Sequence, residues 1–220
     1  MIKRLIFDVD GTLITGVNFI DSISETLRKL GLYSEDNVKL FLEGIKTYEQ
    51  QHNNYNIKSY TEHFEQALKN KLPESFVFVF WGELKSVIPP KNDKLIDTIS
   101  GLAKRYELVL LTNYFSISQL NRLNNMGIGS FFKECHGERC IKPNKQAYLD
   151  ACGDKKAEEC VMIGDDPYLD IQRAREEGLS TILVNSKGIE TNSSMGIVVN
   201  SVEEISQELI TRMEPKDFER

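Results

Sequence analysis

Residues 2–12 read IKRLIFDVDGT: a short, mainly apolar run with β-branched and aromatic members, then two aspartates flanking a valine, then a glycine. The run predicts a strand over 2–8, and Gly11 predicts the turn that ends it. Asp8 and Asp10 stand two residues apart, so on extended backbone both carboxylates project to the same side. A strand that ends in paired acids is a place for chemistry as well as a place to turn, and the rest of the chain decides which.

From Asp21 to about Ser86 the pattern is helical. DSISETLRKLG offers an Asp at the start, apolar Ile23, Leu27 and Leu30, and Gly31 as a stop. A second helix is expected over 36–50, with Val38, Phe41, Leu42 and Ile45 on one side, and a third over about 60–70 with Tyr60, Phe64, Ala67 and Leu68. The run Phe76 to Trp81 is bulky and unbroken, which local propensity would favour as a strand. A helix is expected instead, because Pro73 suits a first turn and no hairpin partner is visible. Pro89-Pro90 closes this block.

Beyond the prolines, helical and strand-like stretches alternate: helix 92–104, strand 107–112, helix 116–126, a short run at 131–132, helix 144–152, strand 160–163, helix 168–177, strand 180–184, a weak strand at 197–199 and a helix at 202–213, with a frayed tail after Pro215. Alternation of this kind predicts an α/β fold, a Rossmann-like parallel sheet with helices on both faces. Such sheets bind ligands beyond the carboxyl ends of their strands. Strand 2–8 delivers Asp8, Asp10 and Thr12; strand 107–112 delivers Thr112 and Asn113; strand 160–163 delivers Asp165 and Asp166. Lys142 precedes Pro143 at the start of another helix.

Asp8, Asp10 and Asp165 in one small site would repel one another unless a cation is present, and an all-oxygen set suits magnesium. Lys142 and the Thr112 hydroxyl supply what a phosphoryl group needs, a positive charge and a directed donor. Taken singly these features are ordinary: a lone D-x-D reads as a solvated turn, and Asp165-Asp166-Pro167 as a helix cap. Their occurrence in order at successive strand ends is what carries weight.

Composition narrows the partners. The chain has 220 residues, 40% hydrophobic and 27% charged, in the range of folded globular proteins. A formal net charge of −6 without a Lys/Arg run argues against a nucleic-acid polymer as partner. Acids interrupt the N-terminal apolar run long before signal-peptide length, so neither membrane nor export is expected and the cytoplasm is the expected location. Cys135, Cys140, Cys152 and Cys160 form no C-x-x-C pair and are expected simply to pack.

The set DVDGT at 8–12, LLTN at 110–113, KP at 142–143 and IGDDPYLD at 163–170 resembles the four motifs of the haloacid dehalogenase (HAD) superfamily, over roughly residues 1–185. The resemblance implies a magnesium-dependent phosphatase acting on a small phosphorylated metabolite. By that likeness Asp8 is the nucleophile and Asp10 the general acid and then base. Magnesium would be held by the Asp8 and Asp165 carboxylates and the Asp10 backbone carbonyl. Thr112, Asn113 and Lys142 would bind the substrate phosphate. Asp166 and Asp170 compete for an outer role at the metal, with Asp170 favoured by its position over a turn along the following helix. Relatives that displace halide lack the second aspartate, so Asp10 argues for phosphate chemistry. The block 16–88 falls where the superfamily inserts an α-helical cap, giving a core of 1–15 and 89–220 with hinges near 14–18 and 86–91. His52 and His63 lie inside that block and are expected to be surface or helix residues. The same motifs serve a phosphomutase resembling β-phosphoglucomutase, and a non-catalytic phospholigand-binding or scaffold protein is the alternative of another class.

Overall fold

The computed structural model describes residues 1–191 and 195–213. Their strands are β1 (Arg4–Phe7), β2 (Glu107–Leu111), β3 (Phe132–His136), β4 (Cys160–Gly164), β5 (Ser180–Val184) and β6 (Ile197–Val199). All the pairings are parallel, in the order β3-β2-β1-β4-β5-β6. The chain builds outward from β1 to one edge and then returns to its other side with β4. The order therefore reverses at β1 and β4, and a crevice opens beyond their carboxyl ends.

Strand alternation sorts the core into two layers. Leu5, Phe7, Leu108, Leu110, Val161 and Ile163 face one side, under α5 (Asp93–Ala103), α6 (Ser116–Asn125) and α9 (Gln207–Arg212). Ile6, Val109, Leu111 and Met162 face the other, under α7 (Lys145–Cys152) and α8 (Arg173–Glu176). Burial on both faces explains why the central strands read as continuous apolar runs.

Between β1 and α5 lie α1 (Ile20–Lys29), α2 (Glu35–Gln51), α3 (Ile57–Leu68) and α4 (Phe76–Leu84). They pack around a separate cluster rich in aromatic rings, including Phe41, Tyr48, Tyr60, Phe64, Phe76 and Phe80, to which the core side contributes Phe115 and Ile141. The Phe76–Trp81 run is helical, as expected. Phe76, Val77, Phe80 and Leu84 are buried while Phe78 is exposed, so packing at helical spacing overrides the strand propensity of the sequence. Pro73 stands before this helix, however, and Ser75 is the residue that precedes its first turn.

Three expectations change. The run at 131–132 extends to a strand over 132–136, whose exposed Lys133 and Glu134 fit the edge of a sheet and hide it from a search for apolar runs. The helix expected at 202–213 is a 3-10 turn at Val202–Glu204 followed by α9, with Ser206 capping the second element. The helix expected at 168–177 begins as a π-helix over Pro167–Gln172 and passes into α8. The tail after Pro215 lies outside the described residues. His63 is buried, its Nε2 2.9 Å from the Gly44 carbonyl, and His52 stacks on Tyr48. The four cysteines are free thiols. No helix of the described residues is long and apolar enough to cross a membrane.

Candidate active site

The carboxyl ends of β1, β2 and β4 open into a cavity of about 350 Å³. Asp8, Asp10, Thr112, Asn113, Lys142, Asp165, Asp166 and Asp170 all line it. Residues separated by as many as 162 positions in the sequence thus meet at the point where the strand order reverses.

Asp8 sits at the floor, buried, at the end of β1. Lys142 Nζ donates to its Oδ1 at 2.8 Å and the Thr12 hydroxyl to its Oδ2 at 3.1 Å. The same ammonium donates to Asp170 Oδ1 at 2.6 Å, and Asp170 Oδ2 accepts the Asp166 backbone N–H at 3.0 Å. Burial pushes the Asp8 carboxyl up to about 7; Lys142 opposes the rise, while Asp170 and Asp165 add to it. Asp170 is raised for the same first reason, burial, again against Lys142. Burial alone would lower the Lys142 ammonium, but Asp170 and Asp8 outweigh it and hold it above its ordinary value.

Two glycines make this crowding possible. Gly11 has a φ of +95°, and a Cβ there would lie 2.4 Å from an Asp165 carboxylate oxygen; a Cβ on Gly164 would lie 2.2 Å from Asp170. Asp8, Asp165 and Asp170 each bring a carboxylate oxygen within 4.8 Å of the others. Lys142 answers two of them and the exposed Lys187 donates to Asp165 Oδ2 at 2.6 Å, so three carboxylates face two ammonium groups. The excess negative charge and the all-oxygen donor set fit a hard divalent cation.

Asp166 uses its side chain differently. It accepts the backbone N–H groups of Tyr168 and Leu169, both at 2.8 Å, and so caps the following helix. The Asn113 side chain is committed within the protein. Its Oδ1 accepts the Lys142 N–H at 2.8 Å, and its Nδ2 donates to the Lys142 carbonyl at 2.9 Å and to Glu49 Oε2 at 3.2 Å. The amide grips the Lys142 peptide from both sides and sets where that lysine starts.

Asp10 is held by residues that the sequence did not single out. Arg122, buried in α6, donates through Nη1 to Asp10 Oδ1 at 2.7 Å and Oδ2 at 3.0 Å. Gln119 Nε2 donates to Asp10 Oδ2 at 2.7 Å and to the Thr112 hydroxyl at 3.1 Å. Lys187, just past β5, and Glu49, from α2, complete the set of missed residues. The carboxyl end of β5, treated like those of the other strands, points to the first; the spacing of Gln119 and Arg122 on the helix after Thr112-Asn113 is a signal for the pair.

Over the floor the roof is mostly apolar and aromatic. Phe19, Ile45, Tyr55, Phe80, Leu84 and Tyr114 line it, and Glu49 adds a carboxylate whose Oε1 accepts the Tyr55 hydroxyl at 2.8 Å.

Comparison with known proteins identifies the family. The family description "haloacid dehalogenase-like hydrolase" matches residues 2–178. The chain is 28% identical over 232 aligned positions to a glyceraldehyde 3-phosphate phosphatase of Methanothermobacter thermautotrophicus, covering 94% of this chain and 98% of that one. Among solved structures it is similar to the HAD-hydrolase YfnB of Bacillus subtilis bound to magnesium, with a TM-score of 0.65 at 22% identity over 94% of this chain and 98% of the other. It is also similar to a 2-haloacid dehalogenase of Pseudomonas syringae pv. Tomato DC3000, with a TM-score of 0.68 at 20% identity over 97% of this chain and all of that one. At these identities the two structures speak to the fold alone.

Proposed function

The chain belongs to the haloacid dehalogenase-like hydrolases, and from that premise we propose that it is a magnesium-dependent phosphatase of small phosphomonoesters. The observation that carries this reading is the pair Asp8 and Asp10 lining one cavity, the first bonded to Lys142 and the second held by Arg122 and Gln119.

An ionised carboxylate can attack phosphorus without a base to activate it. Asp8 Oδ forms a bond to phosphorus as the ester P–O bond breaks, and the leaving oxygen takes a proton from Asp10. Water then gives a proton to the Asp10 carboxylate and attacks phosphorus, the acyl-phosphate bond breaks, and Asp8 is regenerated as inorganic phosphate departs. Lys142 offsets the negative charge that gathers around Asp8, and the Thr112 hydroxyl offers a donor to a phosphoryl oxygen. Magnesium would be held by the Asp8 and Asp165 carboxylates and the Asp10 backbone carbonyl, and when bound would supply positive charge against the repulsion between nucleophile and phosphate. Asp170 supports the site by fixing Lys142; Asp166 is occupied as a cap.

We assign residues 16–88 as the cap and 1–15 with 89–220 as the core. The cap side of the cavity presents Glu49 and apolar rings, and the cations at the cavity, Arg122, Lys142 and Lys187, come from the core. Among the described residues the roof offers no cationic partner to a second phosphate or a carboxylate on the leaving group, which would face Glu49. The substrate class is therefore a small ester with an uncharged leaving group that carries hydroxyl or carbonyl functions, a class that includes glyceraldehyde 3-phosphate.

A phosphate-release screen across metabolite phosphates with magnesium tests the proposal. Turnover is expected to concentrate on monophosphates of small neutral alcohols and sugars and to vanish in Asp8→Asn. Phosphate release by that variant at the wild-type rate would remove the mechanism.

A further inference from the structure

Arg122 has five N–H donors in one rigid plane, and the structure uses them in two directions. Nη1 donates to both Asp10 carboxylate oxygens and also meets Gln119 Oε1 at 2.8 Å. Nε and Nη2 both donate to one backbone carbonyl, that of Val87, at 3.1 and 2.8 Å. The guanidinium also lies 5.3 Å from the centroid of the Phe19 ring.

Phe19 and Val87 mark the two crossings between sheet and helical insert. Val17 and Ile88 pack with the core cluster under the sheet, whereas Phe19 and Val87 pack with the aromatic cluster of α1 to α4. The division between the two cores thus falls between 17 and 19 on one linker and between 87 and 88 on the other. Arg122 touches both linkers at that division while holding Asp10.

We infer that Arg122 is a positioning residue that ties the aim of the Asp10 carboxylate to the cap linkers. The inference rests on the reading of Asp10 as the acid and base. Because the guanidinium is planar, the two bonds to the Val87 carbonyl fix its tilt, and that tilt fixes where Nη1 meets Asp10. A displacement of the 85–88 segment relative to α6 must either carry the guanidinium with it or break both bonds. The Asn125 side chain adds a bond to the Lys85 carbonyl at 2.9 Å, so α6 grips the same linker twice. Asp10 is set correctly when the linker is seated, and proton delivery becomes conditional on cap position.

The test is the dependence of kcat/KM on the leaving group, measured with aryl phosphates graded from p-nitrophenyl to p-methoxyphenyl phosphate. p-Nitrophenolate departs with little need of a proton; the poorer leaving groups need one. Asp10→Asn should depress the poor leaving groups on the order of tenfold or more beyond its effect on p-nitrophenyl phosphate, within the range general acids contribute. Arg122→Gln should show the same selective loss. Arg122→Lys keeps a charge opposite Asp10 but cannot span to Val87, so it should remain selectively impaired; it also serves if the glutamine variant does not fold. Uniform loss across the series in the Arg122 variants, beside selective loss in Asp10→Asn, would show that Arg122 is only structural. Full recovery in Arg122→Lys would remove the linker from the argument. Uniform loss in Asp10→Asn itself would overturn the acid reading on which the inference stands.

Discussion

Asp8→Asn should abolish turnover and at the same time make the metal-free protein more stable above neutral pH. The asparagine is nearly the same shape: its oxygen can still accept from Lys142, and its NH₂ can donate to the Thr12 hydroxyl that now donates to Asp8 Oδ2. What disappears is a buried charge. The Asp8 carboxyl titrates at about 7 in the fold against 3.8 in its ordinary state. Below 3.8 both folded and unfolded chains carry the proton and pH has no effect through this group. Between 3.8 and about 7 the unfolded chain has lost a proton that the folded chain keeps, so stability falls as pH rises; above about 7 the full penalty is present. At about 1.4 kcal/mol per pH unit the penalty approaches about 4 kcal/mol. That penalty is already net of the attraction between Lys142 and the ionised carboxylate. A stabilisation of about 4 kcal/mol at pH 8 corresponds to a rise of about 8–16 °C in Tm for a chain of this size. Thermal melts in chelator at pH 5 and pH 8 measure it, and the gain should be distinctly larger at pH 8. A variant that melts at or below the wild type at pH 8, or with the same increment at both values, refutes the assignment of a burial penalty to Asp8.

The same linkage governs the metal: magnesium should raise the wild-type Tm more at pH 8 than at pH 5 and should raise that of Asp8→Asn little, which differential scanning fluorimetry reads directly. Activity should require magnesium and be suppressed by calcium, whose larger and more flexible coordination sphere misplaces the attacking carboxylate; full turnover after exhaustive chelation contradicts this. Gly11→Ala should cost about 1–2 kcal/mol for the left-handed backbone and lose most activity, because the new Cβ would displace Asp165; a melt and a phosphate-release assay check both. Glu49→Gln should loosen the Asn113 contact and change the ranking of neutral against anionic leaving groups far more than the rate on p-nitrophenyl phosphate, and an unchanged ranking across a metabolite panel places selectivity elsewhere.

The parts of the site that were legible in the sequence share a physical reason. Asp8, Thr112 and Asp165 each come directly after an apolar run in a parallel sheet, and the topology brings such ends together whatever the rest of the chain does. Lys142 was legible because a proline announces the helix after it. Side-chain commitments across long separations were not. Asn113 sits at the end of β2, but its amide faces the Lys142 peptide 29 residues away, and nothing local distinguishes that use from a phosphate contact. Arg122 stands in α6 beside Leu123, where a basic residue near a helix C-terminus ordinarily answers the helix dipole in solvent. Its burial depends on the 85–88 linker crossing over α6, a feature of tertiary packing that periodicity does not carry.

The helical insert shows the same division from the other side. Its four helices were readable because apolar residues recur at helical spacing, and burial of that stripe is a local demand. Which side chains turn toward the cavity was not, because the insert has two apolar surfaces to satisfy: its own aromatic cluster and the roof. Tyr55 serves both, packing on Tyr48, Tyr60, Tyr114 and Phe115 while its hydroxyl donates to Glu49 at the cavity wall. Burial, the neighbouring Glu49 charge and that bond push the Tyr55 hydroxyl well above the ordinary phenol range, which favours its role as a donor to Glu49. Glu49 is thereby held between a hydroxyl of the roof and the amide of Asn113, which in turn holds Lys142. A residue in the last turn of α2 is thus three contacts from Asp8, and the aromatic packing that stabilises the insert also fixes the carboxylate of Glu49 at the cavity wall.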